Sequence, residues 1–246
     1  MELENYALVF EDDFDGDTLD LSKWDYRASG PRRCGFNAPS AVRAENGNLI
    51  LRQEYRDGEY GEGWYAGMIR AKPRFLRGYF EIRCICSEAL RGGFWSAFWI
   101  QANNPYTPEI SRGGPGGAEI DVIEAFRGRD GTPGVEINIH VTGKQGSAAR
   151  PGATDHLCVG QFPMPDCYTA YHTYGCEWTE DEYRFYIDGR FVGATSWGDG
   201  VSQVDESSCP LNCLRNLNIP KISPANLSSI MSASIKSAHS GRKIIL

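Results

Sequence analysis

Apolar residues in this chain fall mostly on alternate positions, in short runs separated by Gly, Pro, Asp and Asn. "NLILRQEY", "GYFEIRCIC", "FWSAFWIQ", "AEIDVIEAF", "VEINIHVT", "TYGCEWT", "EYRFYID" and "RFVGATSW" are such runs. A period of two is the mark of strands with one buried face. In "IDGRFVG", Asp188-Gly189 sits between two of them, which predicts a tight hairpin. Helical periodicity is nearly absent and no internal repeat is visible. Many short antiparallel strands at this spacing predict an all-β sandwich or jelly roll in a single domain.

The pattern stops near Ser202. No aromatic residue follows Trp197, and the remainder, with "NLSSIMSASIKSAHSGRKIIL", is Ser-rich with little alternation. Residues 1–202 are therefore expected to form the domain, and 203–246 an atypical tail. Within 246 residues the apolar fraction of 41% and aromatic fraction of 12% suffice for a packed core. The net charge of −7, with scattered basic residues, argues against nucleic acid as a partner. No run approaches the ~20 apolar residues that cross a bilayer, so no membrane partner is expected. "MELENYALVFEDDF" shows neither a basic start nor a long apolar stretch, so no leader is visible: either the chain is cytoplasmic as written, or a leader has been removed. The eight cysteines are expected chiefly as buried thiols. Cys84 and Cys86 share a strand face and are badly aimed for a mutual disulfide, while C-x-C with Cys209 and Cys213 is not a familiar zinc spacing.

The chemistry is concentrated in "GGAEIDVIEAF" (116–126), where Glu119, Asp121 and Glu124 interrupt an apolar strand. In a flat strand Glu119 and Asp121 share a face and Glu124 points the other way. A β-bulge at Val122-Ile123 would turn Glu124 back beside them. Like charges so close raise one another's pKa, and at least one carboxyl is expected to hold a proton near neutrality. One ionised and one protonated carboxyl is what glycoside hydrolysis requires. The spacing alone also fits the acidic face of an ordinary amphipathic strand.

The surrounding text decides between them. "LVFEDDFDGDTLDLSKWDY", "AENGNLILR", "GYFEIRC…GGFWSAFWIQ", "AEIDVIEAF" and "YHTYGCEWTEDEYRFYIDG" occur in that order over residues 8 to 197. Together they resemble glycoside hydrolase family 16, which includes laminarinases, lichenases and agarases, with the catalytic signature in its longer, bulged form. The resemblance implies a β-jelly roll of two curved sheets with the signature strand on the concave face. It implies Glu119 as nucleophile, Glu124 as acid/base, and Asp121 between them as the group that tunes both. The activity implied is retaining endo-hydrolysis of β-1,3 or mixed-linkage glucan. A β-galactan hydrolase and a non-catalytic carbohydrate binder are the alternatives.

Around these acids, Trp95, Trp99 and Gln101 fall on one strand face, and Trp rings make platforms for the C–H faces of sugars. Asn138 and His140 share a face in "VEINIHV", and Arg70 in "AGMIRAK" matches an Arg-bearing cleft strand. All six are expected to bind substrate; Trp178 is expected in the core. No cofactor is expected. Some relatives carry a structural calcium, to which "FEDDFDGDTLD" would offer carboxylates, although a solvated acidic turn is the simpler reading. The expected partner is a polysaccharide, and the expected state a monomer. The family's closing aromatic-rich strands have no counterpart after Ser202, which predicts unpaired sheet edges.

Overall fold

The structure is a computed structural model, and it describes residues 6–32, 35–75, 77–87, 96–102, 118–142, 154–179, 182–195, 207–208, 211–213 and 234–238. The strands of the N-terminal half are β1 (Glu11–Asp12), β2 (Trp24–Tyr26), β3 (Gly30–Arg32), β4 (Gly35–Asn37), β5 (Val42–Glu45), β6 (Asn48–Leu51), β7 (Gln53–Gly58), β8 (Gly61–Ala66), β9 (Ile69–Ala71) and β10 (Arg74–Phe75). Then come β11 (Gly78–Cys84), β12 (Ser96–Ala102), β13 (Ala118–Arg127), β14 (Pro133–Thr142), β15 (Thr154–Pro163), β16 (His172–Trp178), β17 (Tyr183–Ile187) and β18 (Arg190–Thr195). The tail adds β19 (Ser207–Ser208), β20 (Leu211–Cys213) and β21 (Ser234–Ala238). One 3-10 turn, Pro39–Ala41, is the only helical element among the described residues.

These strands build an all-β jelly-roll sandwich. One sheet runs β1-β21-β11-β16-β17-β18; the other runs β10-β19-β12-β13-β14-β15, with β20 also on β12. The pairings within both are antiparallel. Smaller sheets (β2-β9, β3-β4-β8-β7 and β5-β6) flank them. The period of two explains why the layers close. Phe80, Ile82, Tyr174, Cys176, Trp178 and Phe185 point inward from one sheet, and Phe98, Ile100, Ile120, Ile123, Val135, Ile137 and Ile139 from the other, in one continuous core. Fully burying a side chain of this size stabilises by about 1.5–3 kcal/mol. Trp178 is a core residue, as its position in the pattern predicted.

The Asp188-Gly189 turn joins β17 to β18 with positive φ at both residues (49° and 71°). That is the backbone a two-residue hairpin needs, and it is why Asp-Gly stands there. Gly67 meets a different demand: a Cβ there would lie 2.6 Å from the Ala41 carbonyl oxygen. The backbone passes too close to Ala41 for any side chain.

The tail departs from expectation at ten positions. β21 pairs with both β1 and β11, and β19 and β20 pair with β12. The predicted unpaired edge beside β11 is therefore filled. A Ser-rich segment can fill it because strand pairing uses backbone N–H and C=O groups, which every non-proline residue carries. Among the described residues the cysteines form no disulfide; Cys84, Cys86, Cys167 and Cys176 are buried and Cys158 is exposed.

Candidate active site

The site lies on the face of β12-β13-β14 that turns away from the core. Two irregularities in pairing create it. Against β12, Phe98 pairs with Ile123 and Trp99 with Asp121; against β14, Asp121 pairs with Asn138 and Glu124 with Glu136. Val122 is skipped against β12, and Val122 and Ile123 together face the one residue Ile137 of β14, which is the bulge that the sequence called for. Ile120, Val122, Ile123 and Ala125 all enter the core, so Glu119, Asp121 and Glu124 share the opposite face.

Each carboxyl is held differently. Glu119 is half-buried and its Oε2 accepts a bond from Gln101 Nε2. Asp121 is 2% exposed, with His140 Nε2 3.1 Å from its Oδ2. Glu124 is 8% exposed and accepts a 2.8 Å bond from Asn138 Nδ2. The β14 partners reach diagonally. His140 stands directly opposite Glu119 but approaches Asp121, and Asn138 stands opposite Asp121 but bonds Glu124. Glu136 of β14, directly opposite Glu124, adds a fourth carboxyl to the group and accepts a bond from Gln161.

Burial is the main cause that pushes the Asp121 carboxyl up to about 7. The carboxylates of Glu124 and Glu119 add to the rise, and the His140 imidazole opposes it. His140 is itself raised: burial pulls it down, but Asp121 and the two glutamates more than compensate. The middle carboxyl is thus the one whose pKa is raised toward neutrality. Glu119, Asp121 and His140 each offer a ligand atom, all within 4.8 Å of one another. These groups already engage Gln101 and each other, so the set reads as an acid–base array.

Of the six residues expected to bind substrate, Asn138 and His140 line the carboxyl group as partners of the acids. Trp99 is only 6% exposed; it packs with Ala97 and Met68, and the Arg27 guanidinium lies 4.2 Å over its ring. Gln101 uses both ends of its amide, donating to Glu119 and accepting from Arg27. Arg70 is half-exposed, and its ion pair among the described residues is with Asp25 at 3.6 Å. Trp95 lies outside the described residues. In "FEDDFDGDTLD", Asp12 accepts bonds from the Phe14 backbone N–H and from Trp24 Nε1.

Sequence reasoning missed Arg27, Met68 and Glu136. Glu136 was legible, since the alternation in "VEINIHV" places it with Asn138 and His140. Arg27 was not: it follows β2 in "WDYRASG" and is placed by contacts distant in sequence, among them the bond from its N–H to the Met68 carbonyl.

Comparison with known proteins agrees with this geometry. The sequence profile of glycosyl hydrolases family 16 matches residues 35–204. Glucan endo-1,3-beta-glucosidase A1 of Niallia circulans is 27% identical over 205 residues, which are 75% of this chain and 28% of that protein. Beta-porphyranase E of Zobellia galactanivorans is 28% identical over 194 residues, 74% of this chain and 66% of that protein. The chain thus spans less than two thirds of the length of these curated relatives. The solved catalytic domain of an endo-1,3-beta-glucanase (laminarinase) from Thermotoga petrophila superposes with a TM-score of 0.72 at 20% identity, covering 96% of this chain and 99% of that one. With a profile matching more than half of the sequence and a three-carboxyl strand bulged as its motif requires, this chain belongs to glycosyl hydrolases family 16.

Proposed function

We propose that this chain is a retaining endo-β-glycanase that cleaves internal β-1,3 or mixed β-1,3/1,4 bonds of a glucan. The observation that carries the reading is the Val122 bulge, which brings Glu119 and Glu124 onto one face on either side of Asp121. In the first step a Glu119 oxygen attacks the anomeric carbon. The bond to the departing sugar breaks as Glu124 gives its proton to the leaving oxygen. In the second, Glu124 takes a proton from water, whose oxygen attacks the same carbon and releases Glu119. Two inversions retain the anomeric configuration, a route that needs the two carboxyls about 5–5.5 Å apart. Asp121, with its pKa pushed up to about 7, carries less charge near neutrality than an ordinary carboxylate would.

The test is release of reducing sugar from laminarin, lichenan, agarose, porphyran and carrageenan, with Glu119→Gln as control. Cleavage of the first two, lost in Glu119→Gln and giving β-configured product at early times by NMR, supports the reading. Release that survives Glu119→Gln refutes the mechanism, and no release from any substrate favours a binding role. A β-galactan hydrolase is the second reading, favoured by the similarity to a porphyranase; cleavage of a galactan alone would select it.

A further inference from the structure

Three side chains from three segments form one line into the site. Arg27 Nη2 donates a 2.6 Å bond to Gln101 Oε1. The opposite end of that amide, Gln101 Nε2, donates to Glu119 Oε2. Because the oxygen faces a guanidinium, which only donates, the amide orientation is fixed and its nitrogen must face Glu119. Arg27 is itself anchored twice, by its N–H on the Met68 carbonyl and by its guanidinium at 4.2 Å over the Trp99 ring. The next residue, Ala28, has φ +51°, a left-handed turn that carries the chain away immediately after Arg27. An Arg stacked on an aromatic ring and bonded at its fork is pre-organised and loses little freedom by donating.

We propose that Arg27 and Gln101 are positioning residues: Arg27 locks the Gln101 amide, and the locked amide holds the Glu119 carboxylate in its attacking orientation. Gln101 is then oriented by the protein rather than by sugar, since each end of its amide already engages a protein group. The Arg27 charge also polarises the amide, and a hydrogen bond to an ionised acceptor is stronger than a neutral one. The assignment of an attacking role to Glu119 rests on the proposed function; the relay itself does not. Among the described residues, the other charged or titratable groups facing Glu119 are Asp121, Glu124 and His140.

The experiment compares wild type, Arg27→Met, Gln101→Met and the double variant. Arg27→Met keeps an apolar stem over Trp99 without the guanidinium, and Gln101→Met keeps the length of the side chain without the amide. The first readout needs no substrate: solvent exchange of the Gln101 side-chain amide protons by NMR in wild type and Arg27→Met. The relay predicts slow exchange that accelerates at least tenfold when Arg27 is replaced, and unchanged exchange overturns it. The second is kinetic, on whichever polysaccharide is cleaved. Each single variant should lower kcat about tenfold with KM within twofold, and the double variant should be no worse than either, because one chain is broken only once. A KM that rises with kcat unchanged would make Gln101 a sugar contact and sink the proposal, as would multiplicative losses in the double variant. If Arg27→Met does not fold, Gln101→Met carries the kinetic test alone. If no polysaccharide is cleaved, the functional reading falls, and amide exchange still decides the relay.

Discussion

Replacing Asp121 by Asn should make the protein more stable at neutral and alkaline pH, by an amount that the burial of this one carboxyl sets. Asp121 is 2% exposed and flanked by two other acids, and its pKa is pushed up to about 7, first by burial. In the unfolded chain an Asp titrates near about 3.9. The folded state therefore binds this proton more tightly than the unfolded state. Stability is undiminished below about pH 4, falls as pH rises toward about 7, and is fully reduced above that. Three pKa units at about 1.4 kcal/mol each give a loss of up to about 4 kcal/mol. His140, also raised, acts in the same direction, since its contribution fades as pH rises through its folded pKa. Asn has nearly the shape of the protonated acid and cannot ionise. Urea denaturation of wild type and Asp121→Asn from pH 4 to pH 8 is the assay. The difference between the two proteins cancels the titration of distant carboxylates. It should be near zero at pH 4 and grow in favour of the variant to between about 2 and 4 kcal/mol at pH 8. A constant difference across that range would refute the claim that Asp121 is the proton-holding member. A stabilised variant with impaired turnover would be the usual exchange of stability for function at a site.

Deleting Val122 should be tolerated. It is unpaired against β12 and shares the bulge with Ile123 against β14, and without it the pleat regularises with Glu119, Asp121 and Glu124 still on one face. Activity should fall less than about tenfold, while the lost burial costs about 1.5–3 kcal/mol. A loss beyond a hundredfold in a folded deletion variant would show that the bulge itself shapes the site. Trp24→Phe removes the 2.7 Å bond from Nε1 to Asp12 Oδ2 inside the core. Leaving that buried carboxylate short of a donor should cost about 1.5–3 kcal/mol in chemical denaturation; a neutral result would mean water replaces the indole. Gly67→Ala should cost about 1–3 kcal/mol, because the new methyl meets the Ala41 carbonyl at 2.6 Å. An unchanged denaturation midpoint would mean that the backbone there gives way freely.

What the sequence made legible was whatever follows from alternation along one strand. The period of two placed Ile120, Phe98 and Ile139 inside, and the odd spacing between Asp121 and Glu124 demanded a bulge that pairing locates at Val122. The same rule would have found Glu136. Distant contacts were not legible. Nothing in "WDYRASG" says that Arg27 will cover Trp99, because that depends on β2 pairing with β9 and on the turn at Ala28. Trp99 read as a sugar platform because alternation gives the face of a side chain and not what covers it. Arg70 came from the family resemblance rather than from alternation, and its partner Asp25 on β2 could not be read from the sequence. The tail misled because alternation and aromatic content register a strand's side chains, whereas β19, β20 and β21 are strands by their backbone pairing.

Three acids within six residues would behave alike if the strand exposed them alike, and the sheet ensures that it does not. The neighbours of β13 differ in what they present. β14 leans diagonally, so that His140 serves Asp121 and Asn138 serves Glu124, each one carboxyl further along than the residue it faces. Gln101, on β12, serves Glu119 from the other side. Burial then separates the roles: the middle acid, sunk deepest, is the one driven to keep a proton. A proton at the centre removes the middle acid's repulsion of the outer two, whose partners are amides rather than a titrating ring. Distinct partners on each side of a single bulged strand are thus sufficient to give three carboxyls of similar chemistry three different surroundings.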